Sequence, residues 1–194
     1  MSKLFAQFIS TVINPLVVLC ILPYILVLKT TGDLSRAYFW GIFSLFFILV
    51  FSVFFLIGIE KKYFSDLDVS KRSQRPLLFT FAIALSAIYV SFLYFLKAPE
   101  VLFIVIVGLI FGLISMEFVN RITKVSIHVA TIAAFAMGLT LGFSPIFALS
   151  FLLVPLVAWS RIKTHNHTKR QAAVGALMGI TITVAIYVIF KIFG

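Results

Sequence analysis

Negative charge is scarce in this chain: six Asp and Glu stand against sixteen Lys and Arg, for a formal net charge of +10. After Asp68 the only acidic residues are Glu100 and Glu117. That shortage removes one enzyme class, because an intramembrane prenyltransferase needs two aspartate-rich motifs to hold Mg²⁺ on a diphosphate. Asp66-Leu-Asp68 is a candidate for the first, and there is no second. Cysteine is nearly missing as well. The lone Cys20 lies in an apolar run, which excludes a disulfide or cysteine–metal framework. Charge of either sign makes up only 11% of the chain and hydrophobic residues 62%, against about 25% and about 45–50% in globular domains. A soluble domain is excluded. Nucleic-acid binding is a poor account of the basic excess, since the cations are divided among short loops and not gathered in one basic region.

What is there is a succession of apolar runs long enough to cross a bilayer, each needing about 20 residues. The first covers Phe5 to Leu28, with Pro15 and Pro23 expected to kink it. It is too long for a signal-peptide core and lacks a small-residue cleavage site, so it reads as retained. Ala37 to Ile59 is a Phe-rich second span. Leu77 to Leu96, opened by Pro76, is the third. Val101 to Phe118 is the fourth, with Gly108 and Gly112 spaced for close helix contact. A fifth reaches Phe143. A short sixth, with Pro155 inside, runs to Trp159, and a seventh takes Ala172 to Phe193. The expected fold is all-α, a polytopic helical membrane bundle of about seven spans, with residues 1–194 as one transmembrane domain.

Three polar islands interrupt the pattern, at 60–76, 120–128 and 160–171. Seven spans place all three, with the N-terminus, on one side. That side carries Lys3, five cations of the first island, two of the second and four of the third; the other has Lys29, Arg36, Lys97 and Lys191. The positive-inside rule makes the island side cytoplasmic, in the cytoplasmic (inner) membrane. The count is confounded if some of those cations bind a ligand. All three histidines, His128, His165 and His167, fall in islands, and ionisable groups at membrane depth point to function.

The third island reads Ser160-Arg161, five residues, His167, three residues, Gln171, then Gly175 and Gly179. In this it resembles the third signature of the type 2 phosphatidic acid phosphatase superfamily: Ser-Arg, five residues, His, three residues, Asp, then glycines. Only the Asp differs, replaced by Gln171. The second signature, Pro-Ser-Gly-His, is similar to Val125-Ser126-Ile127-His128, which keeps Ser and His. The first, Lys, six residues, Arg-Pro, is matched by Arg75-Pro76, with Asp68 where Lys is expected and Lys71 and Arg72 nearby. The resemblance covers roughly Lys71 to Gly179.

The resemblance implies a metal-independent, cofactor-free phosphatase of a lipid phosphate. His167 is then the nucleophile that forms a phosphoenzyme, and His128 the general acid and base. Arg75 and Arg161 clamp phosphate oxygens through paired donors, with Lys71 or Lys124 as a third cation and Ser126 near the phosphate. Gln171, four residues after His167, shares its helix face and can fix the ring's tautomer, but without the charge of Asp. The implied substrates are phosphatidate, phosphatidylglycerol phosphate or polyprenyl diphosphates. The alternative is a degenerate relative that binds or moves anionic lipids without turnover, which Gln171 and Asp68 favour. His165, Lys163, Lys169 and Arg170 read as interfacial residues, and Asp66 and Asp68 as caps or ion-pair partners within their loop. Gly175 and Gly179 form a small-xxx-small pair that suits helix packing.

Overall fold

A computed structural model describes residues 2–193. The protein is all-α, with no strand among the described residues. Its helices are α1 (Lys3–Val12), α2 (Pro15–Thr31), α3 (Leu34–Glu60), α4 (Arg75–Phe95), α5 (Glu100–Asn120), α6 (Ile127–Gly142), α7 (Leu153–Lys163) and α8 (Lys169–Phe193). Two 3₁₀ segments, Arg72–Gln74 and Pro145–Leu152, lead into α4 and α7. Six helical segments are long and apolar enough to cross a membrane: Lys3–Thr31, Leu34–Glu60, Arg72–Phe95, Glu100–Asn120, Pro145–Lys163 and Lys169–Ile192. This is a multi-pass membrane protein.

Three sequence expectations change. Pro15 does not kink a continuous first span; it opens α2 after a break at Ile13 and Asn14, where the missing proline N–H costs nothing. Pro23 does lie inside α2. The expected short sixth span is not the shortest. Its eight-residue 3₁₀ stretch rises about 2 Å per residue, so it covers about as much depth as the eleven residues of α7. Together they reach about 30 Å, the thickness of the hydrocarbon core. The shortest is α6, whose 16 residues span only about 24 Å. Finally, Gly112 faces open space, so it does not mediate the close helix contact expected of it.

The chain forms two compact units, Met1–Pro15 with Phe118–Gly194, and Leu16–Glu117. The second is built on aromatic packing. Val27, Ala37, Trp40, Tyr89, Leu93, Leu102 and Ile106 form its main core, and the Tyr89 and Ser44 hydroxyls lie 2.6 Å apart within it. A smaller cluster of Phe55, Phe64, Val69 and Leu78 lies under the first polar island. There the Phe64 ring rests on Gly58, where a side chain would collide with it.

The first unit brings together α1, α6, α7 and α8, with α6 packed along α8 and α1 along α7. Its closest approach is at the two glycines of the third island. A Cβ on Gly175 would come within 2.7 Å of the Ser126 carbonyl, and one on Gly179 would strike the Ala130 carbonyl. With Ala130, Ala133 and Ala136 buried opposite, the α6 and α8 backbones pack at a distance that only small residues permit.

Candidate functional site

The first unit contains eight Lys and Arg residues and no Asp or Glu side chain. The Lys, Arg and His side chains that it buries or half-buries are Lys124, His128, Arg161 and His167. Placing such groups away from water is costly without compensating polar or anionic partners, so the local hydrogen bonds show how the arrangement is held.

At the end of α7 the chain turns sharply. His165 takes a left-handed conformation (φ 61°). Its N–H donates to the Ile162 carbonyl at 3.0 Å, and the Asn166 N–H donates to the Arg161 carbonyl at 3.1 Å. This is the double bond pattern of a Schellman motif, with His165 in the position usually given to glycine. The His167 N–H also reaches the Arg161 carbonyl, at 3.2 Å. The turn thus places His167 directly after Arg161 in space.

Thr168 then caps α8. Its Oγ1 accepts from the Gln171 N–H at 3.3 Å, and Gln171 Oε1 accepts from the Thr168 N–H at 3.2 Å. This reciprocal pair is a capping box, Thr-x-x-Gln, and explains Gln171 structurally without any catalytic role. The same Oε1 lies 3.2 Å from His167 Nδ1. Because the Thr168 N–H points at that atom, it must be the amide oxygen, and His167 Nδ1 must carry the proton. A neutral His167 ring then holds its lone pair on Nε2. The ring is buried.

Arg161 is 2% exposed and donates from Nη1 to the Ser10 hydroxyl at 2.5 Å. Its neighbour Ser160 is fully buried and donates to the Ala6 carbonyl at 2.6 Å. The second island meets the third through two bonds. Lys124 Nζ donates to the Asn166 carbonyl at 2.9 Å, and the Ser126 N–H to the Gln171 carbonyl at 3.4 Å. Ser126 precedes α6, yet its side chain makes no capping bond; Oγ is fully buried with no hydrogen-bond partner among the described residues. His128 sits in the first turn of α6, buried, with Nε2 3.5 Å from the Asn14 amide nitrogen. Ser126, Arg161, His167 and Gln171 thus belong to one bonded assembly, and His128, bonded to Asn14, lies in the same unit.

Arg75 and Lys71 belong to the other unit. Arg75 is 1% exposed at the start of α4, and its Nε donates to the Val69 carbonyl at 3.2 Å. Val69 is itself left-handed (φ 45°), a strained state for a β-branched residue. Lys71 is exposed. The loop ahead of them is organised by Asp66, whose carboxylate accepts from the hydroxyls of Ser65 and Ser70 and from the N–H groups of Asp68 and Ser70. Burial pushes the Asp66 carboxyl up, and those hydrogen bonds together outweigh it and hold the pKa below the usual value. Among the described residues, no three His, Cys, Asp or Glu side chains gather as a metal site would require.

No family model, curated protein or solved structure matches this chain.

Sequence reasoning missed Ser10, Asn14 and Thr168. Thr168 carried a legible signal, the Thr-x-x-Gln spacing ahead of an apolar run. Ser10 and Asn14 offered only a weak one, two small polar residues four apart in an apolar span.

Proposed function

We propose that this protein is a membrane phosphatase that hydrolyses a lipid phosphate monoester or diphosphate through a phosphohistidine, without a metal ion. The observation that carries the reading is the fixed His167 ring: Nδ1–H donates to Gln171 Oε1, which presents Nε2 as the nucleophile. The resemblance of the third island to the type 2 phosphatidic acid phosphatases gives the same residue the same part. The one-signed charge of this unit supports an anionic ligand, and the apolar walls suit a substrate whose tail remains in the bilayer.

In the proposed cycle, His167 Nε2 attacks phosphorus and the bond to the leaving oxygen breaks. Protonated His128 gives that oxygen its proton, releasing the lipid alcohol from a monoester or the lipid monophosphate from a diphosphate. Neutral His128 then takes a proton from water as the water oxygen attacks phosphorus. The P–N bond breaks, inorganic phosphate leaves, and His167 regains its lone pair. Arg161 and the Ser126 hydroxyl offer donors to the phosphoryl oxygens, where charge builds in the transition state. Gln171 steadies the cationic phosphohistidine with a dipole, not a charge, so turnover is expected to be slow. The resemblance also assigns phosphate binding to Arg75 and Lys71, and Arg75→Ala and Lys71→Ala test that part.

Purified protein in detergent, given phosphatidate, phosphatidylglycerol phosphate and a polyprenyl diphosphate in the presence of chelator, is expected to release phosphate from at least one of them. His167→Ala should abolish release, and acid-quenched wild type should retain a phosphate that is labile to acid. Equal, background-level release by wild type and His167→Ala would refute turnover. The second reading, a degenerate lipid-binding relative, is favoured by Gln171, because the capping box alone accounts for that residue.

A further inference from the structure

Ala6 and Ser10, four apart on α1, share one face of that helix, and Asn14 stands just past its end. Each meets a different part of the candidate site. The Ala6 carbonyl accepts from Ser160 Oγ at 2.6 Å, the Ser10 hydroxyl accepts from Arg161 Nη1 at 2.5 Å, and the Asn14 amide nitrogen lies 3.5 Å from His128 Nε2. The opposite face, with Leu4, Phe5, Phe8 and Val12, is exposed and suits lipid. Asn14 also stands at the break between α1 and α2, so α1 joins α6, α7 and α8 and not the unit that contains α2. None of this lies in the stretch that carries the family resemblance.

We infer that α1 is a positioning element of the site, with Ser10 orienting the Arg161 guanidinium and Asn14 orienting the His128 imidazole. The catalytic part of this inference rests on the phosphatase reading; the positioning contacts do not. An asparagine suits its place physically. The amide oxygen and nitrogen of Asn14 are interchangeable in place; with its oxygen toward His128 the amide accepts from Nε2–H and leaves Nδ1 to give and take protons. It therefore serves His128 in both states of an acid–base cycle, because Nε2–H is kept in the neutral and in the protonated ring, and an aliphatic side chain would not do this. Ser10 is a short, buried acceptor that holds one guanidinium nitrogen of Arg161.

The test uses the full-length protein in detergent, with ¹⁵N-labelled histidine and the His128 signals assigned through His128→Gln. The ring nitrogen shifts report which nitrogen carries the proton. Asn14→Ala is expected to move the His128 pair and leave those of His165 and His167 in place. Unmoved His128 signals would overturn the inference. Under turnover, Asn14→Ala should lower kcat about ten-fold at constant KM, whereas Ser10→Ala should raise KM about ten-fold. Ser10→Thr, which keeps the hydroxyl, should restore KM. A general loss of folding would shift all three histidines and would not be rescued by Ser10→Thr; that outcome counts against positioning. Should wild type release no phosphate while Asn14→Ala still moves His128, the phosphatase reading falls and the positioning role stands.

Discussion

Gln171 concentrates the chemistry of the proposed site in one side chain. Its oxygen accepts from both the Thr168 N–H and His167 Nδ1, so it caps a helix and fixes a tautomer at once. Gln171→Glu keeps both acceptors and adds the missing charge. Turnover is expected to rise about five-fold, because a hydrogen bond to a carboxylate is about twice as strong as one to a neutral oxygen. Gln171→Ala loses both functions, with about 1 kcal/mol of capping stability gone and turnover down about ten-fold; thermal unfolding and phosphate release measure the two separately. The partnership of His167 and Gln171 was expected from a shared helix face, but His167 precedes the Thr168 cap, and the two meet because Gln171 reaches back over the helix start. The contribution of Thr168 was legible in Thr-x-x-Gln, since a capping box is local. Asp66 gives a pH dependence at the same scale. Its carboxyl pKa is held below the ordinary value, so its contribution to loop stability is complete above that value, near 4, and is lost as pH falls through the lower folded one. Protection against hydrogen exchange at residues 65–70, relative to the unstructured rate at each pH, is expected to fall on acidification, and in Asp66→Asn the acid step should disappear.

Between elements, the sequence and the structure part company at the glycines. Gly108 and Gly112, like Gly175 and Gly179, show the spacing of close helix contact. The second pair makes one, with Gly179 against the Ala130 carbonyl, whereas Gly112 faces open space. Spacing tells which residues share a face, but not whether a neighbouring backbone lies against it. Gly179→Ala is therefore expected to cost about 1–3 kcal/mol by forcing α8 from α6, lowering the midpoint of thermal unfolding in detergent. Gly112→Ala should be neutral or slightly stabilising, since alanine is the better helix former. Equal effects would contradict the packing described here. The sixth span shows the same limit in length. Its residue count suggests a helix too short to cross, and its 3₁₀ lead-in supplies the missing rise.

For the molecule as a whole, the excess of cations on the island side predicts a cytoplasmic third island. In a Cys20→Ser background, Asn166→Cys should react with an impermeant maleimide only after the membrane is opened. Labelling in intact cells would place the island outside and leave its cations to be explained by ligand binding. The sequence by itself determined the membrane class, the all-α fold and the approximate limits of its spans, because burial in hydrocarbon demands long apolar runs and satisfied backbone groups. It also determined the local order of Arg161, His167 and Gln171, whose contacts arise within a single turn and helix start. Only the tertiary structure decided that Ser10 reaches Arg161 and Asn14 reaches His128, partners separated by 151 and 114 residues. It also decided that α1 packs along α7, in one unit with α6 and α8. The physical reason is that a small polar residue in an apolar helix is compatible with many neighbours, and only packing selects the one it bonds.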